Sequence, residues 1–191
     1  LDVDDEVIKL VEQCVKISKE DWDSNEVSWD FNKNGLIRQE TLLRDSFKTF
    51  FSNCEIVTTQ LKGFEERVNR IVNLGYGVEN EIPYEVELEH ITLNKNRVFL
   101  YGNSECTGAI FQSETLKQLI SFAFGAMMGR YSLDREGLIY AYSGNGGFKK
   151  LVDDGAYQTY PADDDGIISL ASEEWLFDDD ATTRFKEFVK T

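Results

Sequence analysis

QETLLRDSFKTFFSNCEIVTTQLKGFEERVNRIVNLG, residues 39–75, decides how this chain is read. Within it Leu43, Phe47, Phe50, Cys54, Val57, Leu61, Phe64, Val68 and Ile71 recur at alternating steps of four and three. That is a heptad stripe, the apolar seam of a helix lying lengthwise on other helices. At about 1.5 Å per residue the helix would be roughly 50 Å long. Gly63 costs about 1 kcal/mol relative to Ala and marks a place for a local bend. Gly75 and Gly77 supply the stop. A seam of this kind specifies an architecture and no chemistry.

Working outward, 191 residues suffice for one sizeable core or two small ones, and 41% hydrophobic with 13% aromatic content describes a folded protein. Only Pro83 and Pro161 interrupt it, which favours helices. No run approaches the roughly 18 apolar residues of a membrane span, so no membrane role is expected. The chain starts at Leu1 without a methionine and stops at Lys190-Thr191 in an expected helix, so it is read as a piece of a longer protein. Cys14, Cys54 and Cys106 are odd in number and lack metal-ligand spacing. Reduced thiols in a cytoplasmic protein fit best.

The formal charge of −15 sits at the two ends. Residues 1–30 hold ten acidic and three basic side chains, and residues 151–191 hold eleven and three. The middle carries fourteen of each. A free-standing DNA-binding module usually shows a basic face, and none is advertised here. The acidic ends fit a second reading instead, a helical scaffold for a basic protein partner.

Before the long helix, residues 2–19 read as an amphipathic helix with Val7, Ile8, Val11, Cys14, Val15 and Ser18 on one face. Asp2, Asp4, Asp5 and Glu6 crowd its first turn, where the macrodipole favours negative charge. Trp22 and Trp29 then suggest an ordered elbow pinned by aromatic anchors, or a binding surface. The elbow runs into Asp30-Phe31-Asn32-Lys33-Asn34-Gly35, which matches the opening of an EF-hand calcium loop. The match fails at position 12, where Thr41 stands and Glu40 falls one residue early. No metal ligand is assigned; an EF-hand-like calcium module is the third reading, and an Asn-Gly turn the simpler one.

After the long helix, Val86, Leu88, Ile91 and Leu93 alternate with glutamates, and Val98–Tyr101 follow a polar turn. The expectation is a small β element of short strands over residues 84–101. His90, the single histidine, has no catalytic partner nearby in sequence. Ser113 is expected to cap a buried helix from Glu114 to Tyr131, with Gly125 and Gly129 admitting another backbone. Ser143–Gly147 is glycine-rich without the Gly-Lys-Ser/Thr of a phosphate cradle, hence a flexible loop. Asp163–Asp165 and Asp178–Asp180 read as helix N-caps, the second before a last helix from Ala181 to Lys190.

The fold class is therefore mainly α, a helical spacer or connector with one long heptad-patterned helix and a small β element. It is read as a single domain over 1–191: a helix and elbow at 1–38, the long helix at 39–75, short strands at 84–101, a buried helix at 113–133, and a loop with acidic helices at 143–191.

Four stretches, in order, resemble one family. They are Ile17–Ser24 with Ser28–Phe31; Val68–Ile71 with Tyr76-Gly77 and Asn80–Pro83; Gly129–Asp134 with Gly137–Ala141; and Asp165–Ile168 with Asp179-Asp180 and Arg184-Phe185. Together they resemble the region after the catalytic core in PglX-type adenine-specific DNA methyltransferases of BREX phage-defence systems. Related fused restriction-modification enzymes share similar segments. Against that pattern, residues 94–112 look like an insertion. The resemblance implies a parent enzyme that methylates adenine N6 with S-adenosylmethionine. Its cofactor loop and its Asn/Asp-Pro-Pro-Tyr/Phe motif are absent from this sequence, which has no Pro-Pro pair. No catalytic or cofactor-binding residue is carried over. The implied role is a connector between the catalytic and target-recognition domains of the same chain, with DNA as partner of the whole enzyme. The cations expected to touch DNA are Arg130, Lys149 and Lys150. Competing readings are a local ion pair between Arg130 and Asp134 and a solvated loop for the two lysines.

Overall fold

The computed structural model describes residues 5–37, 40–170 and 180–191. The readings placed on Asp2, Asp4, Gln39, Asp178 and Asp179 lie outside the described residues. The fold is mainly helical: α1 (Asp5–Asp23), α2 (Leu43–Tyr76), a 3-10 turn (Leu88–His90), α3 (Arg97–Tyr101), α4 (Thr107–Met127), α5 (Phe148–Asp153) and α6 (Ala181–Lys190). No helix among the described residues is long and apolar enough to cross a membrane. The chain divides into two compact units, a finer division than the one domain read from the sequence. One comprises Leu1–Asn25 and Arg38–Ser113, the other Glu26–Ile37 and Glu114–Thr191.

In the first unit α2 is continuous through Gly63. Gly75 is still helical; the stop is Gly77, whose φ of 70° lets its N–H and that of Val78 reach the carbonyls of Leu74 and Asn73. Cys54 and Leu61 are buried, and Val57 and Phe64 are partly covered. Leu61, Val57 and Phe64 meet Ile17 of α1 and the fully buried Ile91 and Leu93. At the other end of α2, Phe50 stacks on Phe111 with ring centroids 6.3 Å apart, and Phe51 meets Phe111 edge-on at 5.9 Å.

The face of α1 differs from the expected one. Leu10, Cys14, Ile17 and Asp21 turn inward, whereas Ile8, Val11 and Val15 are exposed. Both stripes have helical spacing, so α1 carries one apolar face against α2 and a second in solvent.

The expected strands do not form. Residues 84–87 are extended without a ladder, Leu88–His90 is a 3-10 turn, and Val98–Tyr101 belongs to α3. The reason lies in what satisfies the backbone. Side chains of α2 take the place of a neighbouring strand: Asn73 Nδ2 donates to the Ile82 carbonyl at 2.9 Å and Asn69 Nδ2 to that of Tyr84 at 3.2 Å. Lys62 donates to the Val86 carbonyl, and the Val86 amide donates to Glu66 at 3.2 Å. With these main-chain groups answered by side chains of α2, alternation buries one face without a neighbouring strand.

The second unit is built on aromatic rings. Tyr131 stacks on Phe122 at 4.9 Å and 8°, and Phe31 stands edge-on to Tyr131 at 5.3 Å. Phe188 of α6 meets Phe122 and Tyr160. Helix α4 passes Ser113 without a break, having started six residues earlier at Thr107, so Ser113 caps nothing. It also ends at Met127 instead of Tyr131. Its uncharged run is not wholly buried, since Ile120 and Met128 are exposed. Gly125 admits a ring instead of a backbone: a Cβ there would lie 2.4 Å from the Tyr131 ring. The Asn-Gly turn is present, with Asn34 Oδ1 accepting from the Leu36 amide at 3.0 Å. Asp180 caps α6 as expected, through the amides of Thr182 and Thr183. Asp163 caps no helix; it pairs with Arg184 at 3.0 Å and accepts from the amides of Asp165 and Gly166.

Candidate nucleic-acid interface

The three cations singled out in the sequence all lie in the second unit. Arg130 follows the left-handed Gly129, whose φ is 73°, at the end of α4. Its amide donates to the Gly125 carbonyl at 2.7 Å, and its carbonyl accepts from Ile139 at 2.9 Å. The backbone is thus fixed on both sides, and the side chain is exposed. The guanidinium lies over the Tyr131 ring, 5.2 Å from its centroid. Asp134, the partner in the competing ion-pair reading, accepts from the amide of Thr159 at 2.9 Å and from its hydroxyl.

Lys149 and Lys150 are exposed on α5 and so belong to a helix, not to a loop. The preceding glycine-rich segment is ordered by Asn145, which donates to the Tyr140 and Tyr142 carbonyls and accepts from the Gly147 amide. Phe148 anchors α5 in a small core with Ile139, Leu151, Ala156 and Tyr157. The same ring would meet a Cβ on Gly129 at 3.1 Å, and the Tyr157 hydroxyl donates to the Gly129 carbonyl at 2.7 Å. Gly129 precedes Arg130, and Phe148 precedes Lys149. Packing of Phe148 on Gly129 therefore brings the start of α5 to the end of α4, although 19 residues separate Arg130 from Lys149 in sequence.

Beside Arg130 the structure places residues that the sequence reading did not join to it. A pocket of about 180 Å³ is lined by Glu26, Trp29, Phe31, Arg130, Tyr131 and Leu138, among others. Trp29 is 95% exposed and anchors nothing, which corrects the expected aromatic pin. Glu26 Oε2 accepts from the Ser121 hydroxyl at 3.1 Å and the Tyr131 hydroxyl at 3.4 Å, while Oε1 is buried with no hydrogen-bond partner among the described residues. Burial raises the Glu26 carboxyl above the ordinary carboxylate range, against the Ser121 hydrogen bond and the Arg130 charge. Trp29 was legible as a surface aromatic; nothing in the sequence marks Glu26.

The first unit has a cleft of its own, about 260 Å³, lined by Phe51, Cys54, Thr58, Lys95, Arg97 and Phe111 among others. Arg97 donates to the Thr107 hydroxyl at 2.9 Å and lies 3.7 Å from Glu55. Burial pushes the Cys54 thiol up to about 12, so it supplies no thiolate to that cleft. Exposed His90 stands 3.9 Å from Glu89. Among the described residues, no three His, Cys, Asp or Glu side chains gather as a metal cage.

Comparison with known proteins gives the context. An adenine-specific methyltransferase named BrxX, from Escherichia coli O9:H4 (strain HS), is 43% identical over 185 residues, 95% of this chain. An adenine-specific methyltransferase named PglX, from Lacticaseibacillus casei (strain Zhang), is 31% identical over 193 residues, 97% of this chain. The chain is a relative of the BrxX and PglX methyltransferases. It spans 15% of the length of BrxX and 14% of that of PglX, so the likeness is to a segment of each. No family model matches the chain.

Proposed function

We propose that this chain is a non-catalytic helical connector of a site-specific DNA adenine-N6 methyltransferase, in restriction-modification or phage defence. The observation that carries the reading is likeness to adenine-specific methyltransferases over 95% and 97% of the chain. The reacting groups and S-adenosylmethionine belong to other parts of the enzyme, because the cofactor loop and the Asn/Asp-Pro-Pro-Tyr/Phe motif are absent from these 191 residues. The two compact units suit a part that spaces catalytic and target-recognition domains of one chain. Arg130, Lys149 and Lys150 meet phosphates when the other domains hold the duplex.

The charge of −15 sets the strength of that contact. On its own the chain binds duplex DNA no more tightly than the weak non-specific range, about 10⁻⁴ M. The test is fluorescence anisotropy of a labelled duplex at two salt concentrations, with the methyltransferase that carries this chain and its Lys149→Gln/Lys150→Gln variant. Each lost phosphate contact lowers the salt slope by about one. An unchanged slope removes the lysines from the interface. Methyl transfer to DNA by the isolated chain overturns the connector reading.

A further inference from the structure

The pocket beside Arg130 combines three different kinds of recognition within the second unit. Trp29 offers an indole with 95% of its surface in water, a large apolar face at a pocket rim. Arg130 offers an exposed guanidinium whose backbone is fixed by hydrogen bonds on both sides. Glu26 offers a carboxylate held by Ser121 and Tyr131 through one oxygen, with its other oxygen buried and without a donor among the described residues. A buried acceptor without a donor costs free energy, which a ligand N–H recovers. A flat ring that stacks, a nearby anion and an N–H donor are together the features of a nucleotide.

We propose that this pocket takes a single unstacked nucleotide whose base carries an exocyclic amine, with Trp29 stacked on the base, Glu26 accepting from the amine and Arg130 meeting the phosphate. The inference rests on the reading that this domain touches DNA, and it adds a ligand of defined chemistry to that contact. Stacking on an aromatic ring tolerates every base, so Trp29 supplies affinity. Glu26 supplies preference: adenine, cytosine and guanine each present an exocyclic amine with two hydrogens at the base edge, whereas thymine has only its ring N3–H, flanked by two carbonyls that a carboxylate repels. Arg130 separates a nucleotide from a free nucleoside through its charge. A basic side chain is the competing occupant, and Arg130 in the lining repels it.

The experiment is a titration of the chain with dAMP, dCMP, dTMP and inorganic phosphate, following the Trp29 indole N–H by NMR. Trp29 is surface-exposed and Glu26→Gln keeps acceptors for Ser121 and Tyr131, so both variants are expected to fold. Saturable shifts with dAMP and dCMP are expected, about tenfold weaker with dTMP, and none with phosphate. Trp29→Ala weakens dAMP, read by saturation transfer to the nucleotide, about tenfold. Glu26→Gln removes the preference over dTMP. An equal response to dAMP and dTMP overturns the role of Glu26; a response to phosphate alone reduces the pocket to an anion site. A stronger response to a lysine amide makes it a peptide pocket. The lysines of α5 are outside this pocket, so the duplex salt slope and the nucleotide titration can fail independently.

Discussion

Asp21 and Asn94 are joined twice: the Asp21 carboxylate accepts from the Asn94 amide at 2.7 Å and from its side-chain amide at 3.1 Å. The Lys95 amide adds a third bond at 3.0 Å. Asp21 is buried at the end of α1, and its carbonyl accepts from Ser24 and Asn25. One residue thus closes the helix and holds the segment returning from α2.

Asp21→Ala leaves two backbone donors without their acceptor. Hydrogen bonds to a charged group are worth about 1.5–3 kcal/mol, so the variant is expected to lose about 2–4 kcal/mol. Native-state hydrogen exchange checks the cause, because the Asn94 and Lys95 amides should lose protection first.

Gly63 and Leu61 lie two residues apart on α2 with opposite consequences. A Cβ at Gly63 meets nothing within 4 Å, and the residue is helical and exposed, so Gly63→Ala should stabilise by about 0.5–1 kcal/mol. Leu61 is 2% exposed among Ile17, Ile91 and Leu93, and Leu61→Asp places an unpaired charge there. Thermal melts should show a modest rise for the first and loss of the cooperative transition for the second. A Leu61→Asp melting temperature equal to wild type would mean the core is not where the structure puts it.

The cysteines differ by burial. Cys106 is exposed, Cys54 is buried with its thiol pushed up to about 12, and Cys14 is half-covered with its thiol raised by burial and by Glu65. At mildly alkaline pH a thiol reagent should modify Cys106 at once and Cys54 only after denaturation. Mass spectrometry of peptides after a short pulse reads the order directly.

Glu26 carries a pH dependence of defined sign. Burial raises its folded carboxyl above its unfolded value, so the folded state binds the extra proton between the two. The contribution is fully present below the unfolded value and is lost as pH rises through the raised one. Stability of the native chain should therefore fall with pH across that window. Glu26→Gln should flatten the slope, and denaturant melts at several pH values measure it.

Much of this was legible in the sequence, and the failures have physical causes. The long helix α2 was readable because apolar spacing of helical period extends over nine positions. The inward face of α1 was misread because two apolar stripes share one helix, and periodicity cannot rank them. The strand at 84–93 was misread because alternation reports one buried face, not the partner that buries it. Lys149 and Lys150 looked loop-borne because three glycines precede a helix of only six residues. The pocket around Trp29 was invisible because Glu26 and Arg130 lie far apart in sequence and line one pocket only in the fold.

The pairing of α2 with residues 82–86 also governs how this chain tolerates changes of length. Ile82, Tyr84 and Val86 are met in turn by Asn73, Asn69 and the Lys62–Glu66 pair. Two extended residues cover about 6.6 Å and one helical turn about 5.4 Å, close enough for the two rulers to agree over this short distance. Inserting or deleting one residue between Ile82 and Val86 would present the wrong side of the segment to every polar side chain at once. Between Val78 and Glu81 the same change only lengthens or shortens a turn. Natural length variation should therefore collect in 78–81 and be purged from 82–86.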